Sequence, residues 1–171
     1  MADRFPEPTA PATSGTEVLL RYLDYFRSVV LDKVAGLPEA DLRTSRLPSG
    51  WSPLELLRHL RFVELRWLVW GFEGQDVPDP WGDQRDDGRW SLAPGDDLPG
   101  LARALQEQAV TTRSIVQRHG LTDVGAPGER WDGKPPATLE RVLLHLLQEY
   151  ARHTGQLDVV RELADGTVGE D

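Results

Sequence analysis

The chain has 171 residues, of which 39% are hydrophobic and 27% are charged, and its formal net charge is −9. This length and composition predict one soluble globular domain, and the negative charge opposes binding to nucleic acid or to an anionic membrane surface. Because the chain contains no cysteine, disulfides and a cysteine nucleophile are excluded, and any bound metal must use nitrogen and oxygen ligands.

The two ends of the chain are predicted to be tails. Residues 1–15 are rich in Pro, Ala, Thr and Ser without an apolar period, which predicts disorder, and 166–171 form a second short tail. The start lacks the basic and apolar runs of a signal peptide, and no segment approaches the ~20 apolar residues of a membrane span. We therefore expect a cytoplasmic protein with one helical domain over 16–165, which binds neither nucleic acid nor membrane.

The first two predicted helices have clear start signals. A capping-box spacing at Ser14–Glu17 precedes a helical apolar period over about 16–35, which ends at Gly36. The second helix, predicted from 53 to about 72, begins at Ser52–Glu55, which combines an N-cap serine, a proline at the first helical position and a glutamate at the third.

A long connection rich in Gly, Pro and Asp follows, over about 71–99. Asp97 then caps a third predicted helix, which ends near His119–Gly120, where a cationic side chain and a C′ glycine suit a helix terminus. Such long connections within compact domains often carry functional residues.

A fourth helix is predicted from Thr138, its N-cap, to about residue 164, with Gly155 interrupting it. It follows a loop over 121–137, and no window with a strand-like alternation competes with these assignments. The predicted fold is therefore all-α, a four-helix bundle with long crossover loops.

The predicted helices carry a set of possible metal ligands. His145, Glu149 and His153 are spaced four residues apart and share one stripe of the fourth helix, where adjacent members can converge on one ion. His59 lies on the apolar face of the second helix and should point into the bundle. Two alternatives remain open: His59 as a hydrogen-bonded core residue, and Glu149 paired with Arg152 rather than with a metal.

Four segments resemble the DinB/YfiT-like superfamily of metal-dependent four-helix proteins: Gly50–Glu55, Arg58–Leu60, Glu64–Trp67 and His145–Gln156. In that superfamily a histidine on the second helix and two residues one turn apart on the last long helix bind the metal, before an H-x-G-Q type ending. The resemblance implies that His59, Glu149 and His153 are the metal ligands. It places His145 outside the ligand set, as a neighbour of the ligands or a core residue.

Many superfamily members carry histidine where this chain has Glu149. The set of histidine, glutamate and histidine resembles the actinobacterial branch that includes mycothiol-dependent maleylpyruvate isomerase. That resemblance implies a divalent metal, with Zn²⁺ expected and Ni²⁺ or Fe²⁺ as alternatives, and mycothiol or a related thiol as co-substrate. It also implies a small-molecule substrate and a thiol S-transferase or isomerase activity.

Two imidazoles and one carboxylate leave a coordination position open, which is typical of a catalytic metal site rather than a closed structural one. Two other functions remain open from the same residues. One is a non-haem iron oxygenase, although its facial triad usually lies on a barrel. The other is a non-catalytic metal-binding or small-molecule-binding protein that forms a homodimer.

The connection from Asp79 to Trp90 can close over the site, with Arg85 or Arg89 facing an anionic substrate or simply exposed to solvent. No general base is identifiable from the sequence. The aromatic side chains assigned to packing rather than to proton transfer are Trp51, Trp67 and Tyr150.

Overall fold

The structure, a computed structural model, describes residues 5–169. These residues form α1 (Gly15–Ala35), α2 (Glu39–Leu42), α3 (Pro53–Glu64) with a π-helical continuation (Leu65–Phe72), α4 (Leu98–Arg118), a 3₁₀ turn (Glu129–Trp131) and α5 (Leu139–Asp165). They include no strand beyond two isolated bridges. The predicted all-α fold class is therefore confirmed.

The four long helices pack as a bundle. Helix α1 lies against α5, and α3 lies against α4, while α3 also contacts α5 and α1 contacts α4. Leucines fill most of the space between them, with the fully buried ones including Leu23, Leu56, Leu60, Leu105, Leu143 and Leu146. Burial of these apolar side chains is the main force that holds the helices together.

The predicted helix starts are present where their capping residues lie. The backbone N–H of Glu17 donates to Ser14 Oγ at 3.1 Å, and that of Glu55 donates to Ser52 Oγ at 3.4 Å. The Glu55 carboxylate accepts in return from the Ser52 N–H at 2.8 Å, which completes a capping box. Asp97 caps α4 through the N–H of the residue three positions on.

Three local predictions differ from the structure. Gly155 does not interrupt α5, which continues to Asp165, because the modest helical cost of one glycine is outweighed by packing on either side. Thr138 lies at the N-cap of α5 but makes no capping hydrogen bond. Gly120 does not adopt the left-handed conformation of a C′ glycine, because the chain is already extended at His119.

The second long helix widens in its last two turns. From Leu65 to Phe72 the helix is π-helical, with the Glu73 N–H donating to the Leu68 carbonyl at 2.9 Å. Gly71 lies in this segment, where an added Cβ would approach the Arg66 carbonyl oxygen at 3.0 Å. The widening was not predicted, because the apolar period alone does not distinguish an α-turn from a π-turn.

The predicted tails lie partly outside the described residues, which exclude 1–4 and 170–171. Within the described part, the Phe5 ring contacts Tyr22 and Tyr25 edge-to-face, at centroid distances of 5.7 and 5.2 Å. No helix within residues 5–169 is both long enough and apolar enough to cross a membrane.

A buried carboxylate joins all four long helices. Glu64 of α3 has no exposed surface, and its oxygens accept from Arg27 of α1 at 2.7 and 2.9 Å. They also accept hydrogen bonds from the hydroxyls of Thr112 on α4 and Tyr150 on α5. Burial and the adjacent Glu64 charge raise the pKa of Tyr150 well above its ordinary value, so this phenol remains a donor.

We expect Glu64→Gln to lower the free energy of unfolding by about 3 kcal/mol, because it removes the buried counter-ion of Arg27 and leaves only the partly exposed Asp24 to pair with this charge. Tyr150→Phe removes one hydrogen bond and should cost less, about 1–3 kcal/mol. Urea unfolding followed by far-UV circular dichroism measures both, with the exposed Glu107→Gln as the control. Equal midpoints for Glu64→Gln and the control would contradict a stabilising role for this cluster.

Candidate metal centre

The three predicted metal ligands lie together in the structure. His59 of α3 faces Glu149 and His153 of α5, and one potential ligand atom from each lies within 4.8 Å of the other two. Both histidines are buried, whereas Glu149 is partly exposed. The spacing of four residues puts Glu149 and His153 on one face of α5, and helix packing brings His59 against that face.

A hydrogen bond to the buried carboxylate of Asp83 orients the imidazole of His59. Its Nδ1–H donates to Asp83 Oδ2 at 2.8 Å, which leaves Nε2 as the nitrogen available to a ligand. The indole of Trp90 stacks on the imidazole, with 4.0 Å between ring centroids. Burial lowers the pKa of His59 below its ordinary value, and this favours the neutral ring that a metal requires.

Asp83 reaches this position because the long connection folds back onto α3. Arg66 donates to both oxygens of the fully buried Asp83, at 2.6 and 3.2 Å. Arg58 donates to the Gly82 carbonyl at 2.8 Å and holds the same part of the connection. Burial opposes ionisation of Asp83, but the hydrogen bonds from His59 and Arg66 outweigh it and lower the pKa of this carboxyl.

The α5 side of the site is arranged in a similar way. The Nδ1–H of His153 donates to Gln156 Oε1 at 2.8 Å, and its Nε2 lies 3.2 Å from Glu149 Oε2. The other oxygen of Glu149 lies 3.2 Å from Nε2 of His145. Contacts with His145 and His153 hold the pKa of Glu149 far below its ordinary value.

This donor set fits a divalent cation. Both predicted histidine ligands use Nδ1 for an oxygen acceptor, the pattern by which proteins orient metal-binding imidazoles. Two atoms bonded to one tetrahedral zinc ion lie about 3.3 Å apart, given bond lengths of about 2.0–2.1 Å. The 3.2 Å between His153 Nε2 and Glu149 Oε2 is close to that spacing.

The ligand atoms face a cavity of about 330 Å³. Besides His59, Glu149 and His153, its walls consist of Ser49, Trp51, Trp90, Gln148, Arg152 and Gln156. Glu149 contacts the two histidines of its own stripe rather than Arg152, which was the alternative partner for this carboxylate. Small molecules therefore have access to the side of the site away from the bundle core.

The other histidine of α5 and several aromatic residues were also selected from the sequence, and these lie partly at the site and partly in the core. His145 lies beside the predicted ligand Glu149, and its ring packs on Trp67 at a centroid distance of 4.4 Å. Trp51 lines the cavity and also packs in the core. Tyr150 is fully buried and bonded to Glu64.

Two important neighbours of the site were not recognised from the sequence. Asp83 and Trp90 lie in the long connection, where no helical or strand period relates them to His59. The sequence indicated only that the connection from Asp79 to Trp90 can close over the site, because long loops in compact domains often contribute to sites. Their contact with His59 depends on how the connection folds back over α3.

Comparison with known proteins identifies the family. A sequence model of the mycothiol-S-transferase family matches residues 18–166. The structure is similar to the crystal structure of a conserved protein from Enterococcus faecalis, with a TM-score of 0.65 and 20% sequence identity. The similarity covers 91% of this chain and 100% of that chain, and at this identity it concerns the fold alone. No curated protein matches the chain.

The match begins in the first turn of α1 and ends at Gly166, the first residue after α5, so it covers most of α1, the other three long helices and each of the predicted ligands. It confirms the resemblance to DinB/YfiT-like proteins that the motifs around His59 and Glu149 indicated. The chain belongs to the mycothiol-S-transferase family.

Proposed function

We propose that the protein binds a divalent metal through His59, Glu149 and His153 and acts on a low-molecular-weight thiol of the mycothiol type, as an S-transferase or isomerase. The observation that carries this proposal is the convergence of two imidazoles and one carboxylate at the wall of an open cavity. Membership of the mycothiol-S-transferase family supports the thiol as co-substrate. Zn²⁺ is the expected ion, with Ni²⁺ and Fe²⁺ as alternatives.

Three protein ligands are typical of catalytic zinc sites, which keep one position for water or substrate. A bound divalent ion lowers the pKa of a thiol and so supplies a thiolate nucleophile at neutral pH. In an S-transfer the thiol would lose its proton to solvent, its sulfur would form a bond to an electrophilic carbon, and the leaving group would take the bonding electrons from that carbon.

The chain's own residues prepare the site for this chemistry. Asp83 and Gln156 fix the ring orientations of the two histidines through their Nδ1 hydrogens. The indoles of Trp51 and Trp90 form one apolar wall of the cavity, and this wall excludes water from that side. Arg152 supplies positive charge at the rim, which favours an ionised thiol or an anionic leaving group.

Removing a ligand tests the metal site directly. We expect wild-type protein to retain about one divalent ion per chain after dialysis, and His59→Ala and Glu149→Ala to lose most of it. Inductively coupled plasma mass spectrometry measures the metal content. His119→Ala is the matched control, because this histidine contacts Glu73 and lies outside the site. Equal metal content in all four proteins would eliminate the proposed ligand set.

The outer hydrogen bond of His153 provides a finer test. Gln156→Ala removes the acceptor of the Nδ1 hydrogen and should weaken zinc binding by about 10–100-fold. Gln148→Ala is the control, because Gln148 lines the same cavity but makes no hydrogen bond to a predicted ligand. Competition with a chromophoric chelator measures both affinities, and similar affinities would mean that Gln156 does not orient a ligand.

Thiol binding is tested with mycothiol and its S-methyl derivative. Isothermal titration should show that mycothiol binds the zinc-loaded protein and binds the metal-free protein much more weakly, because its thiolate is a strong zinc ligand whereas a neutral thioether is a weak one. The S-methyl derivative should bind poorly to both forms. Absence of binding at millimolar mycothiol, together with a lower stability of metal-free protein, would instead support a non-catalytic metal that ties α3 to α5.

A further inference from the structure

A second cavity adjoins the metal cavity. It has a volume of about 270 Å³, and Ser49, Trp51 and Trp90 line both cavities. The residues that line the rest of it include Arg85 and Arg89, and we call it the arginine cleft. A small molecule that occupies the arginine cleft is therefore adjacent to the predicted metal ligands across the wall formed by the two indoles.

A hairpin over residues 83–91 connects the two cavities. At its base the Ser91 N–H donates to the Asp83 carbonyl at 2.8 Å, and near its tip the Arg85 N–H donates to the Arg89 carbonyl at 2.8 Å. The base supplies the carboxylate that holds His59, and the tip carries both arginines of the cleft. The position of the arginines is thus linked to the position of a predicted ligand.

The guanidinium groups of Arg85 and Arg89 make only long ion pairs with the protein. Arg85 is 3.7 Å from Glu55 with 60% of its side chain exposed, and Arg89 is 3.5 Å from Asp87 with 76% exposed. Within residues 5–169 neither side chain donates a hydrogen bond to the protein. Such exposed ion pairs contribute little, so an incoming anion can replace the carboxylate partners at small cost.

We propose that the arginine cleft binds the carboxylate of a small organic acid, which is the acceptor substrate of the thiol. Guanidinium groups bind carboxylates with paired, charge-assisted hydrogen bonds, and two arginines line one cleft of a protein whose net charge is −9. The indoles of Trp51 and Trp90 provide an apolar surface for the carbon part of the acid. The role as acceptor rests on the proposed function, whereas carboxylate binding does not.

Cinnamate is a suitable probe, because it joins a carboxylate to a planar apolar group, and cinnamamide is its neutral counterpart. Isothermal titration of both compounds is carried out on zinc-loaded and on EDTA-treated full-length protein. Cinnamate should bind both forms, and the double variant Arg85→Gln/Arg89→Gln should raise its Kd about tenfold or more. The control Arg103→Gln/Arg141→Gln changes the net charge equally at exposed sites outside both cavities and should leave the Kd unchanged.

Three results would overturn the arginine cleft as a carboxylate site: no cinnamate binding at millimolar concentration, equal binding of cinnamamide, or an unchanged Kd in the Arg85→Gln/Arg89→Gln variant. Loss of cinnamate binding on EDTA treatment would place the carboxylate on the metal and also overturn it. Failure of the proposed function has a different signature, because protein without metal or thiol binding would still bind cinnamate through the two arginines.

Discussion

The arrangement of this bundle depends on the buried carboxylate of Glu64. A fully buried carboxylate is costly unless it is paired, and this one accepts hydrogen bonds from each of the other three long helices. Its bond to Tyr150 sets the position of α3 relative to α5 directly beside Glu149, which is the residue before Tyr150. The convergence of Glu149 with His59 therefore depends on a polar interaction in the core as well as on packing between leucines.

The long connection between the π-helical segment and α4 completes the site from the outside. Its Asp83 is bound by Arg66 and in turn binds His59. The second long helix therefore supplies a predicted ligand from α3 and, from its π-helical continuation, the cation that binds the partner of that ligand. Trp90 from the same connection covers the imidazole. The imidazole of His59 is therefore covered and fixed in orientation on the bundle side of the site. The carboxylate of Glu149 is partly exposed, so the other side of the site is open.

The polar stripe of α5 contains both predicted metal ligands and the residues that contact them. Glu149 lies at its centre, with His145 and His153 one turn before and one turn after it, and Gln156 holds the far side of His153. His145 packs on Trp67, so its position depends on the second helix as well. Spacing along one helix thus supplies both a predicted ligand pair and the neighbours that orient it.

Local sequence signals were sufficient for the four long helices and for the stripe on α5, although not for the π-helical widening, because capping and helical periodicity are short-range effects. The capping box at Ser52 and the four-residue spacing of Glu149 and His153 could be recognised without a structure. The sequence also indicated that the connection from Asp79 to Trp90 can close over the site, with Arg85 or Arg89 facing an anionic substrate or exposed to solvent. It did not indicate the contacts of Asp83 and Trp90 with His59, because they depend on how an irregular connection folds back over α3. Such contacts join residues far apart in the chain, and no periodicity in the sequence records them.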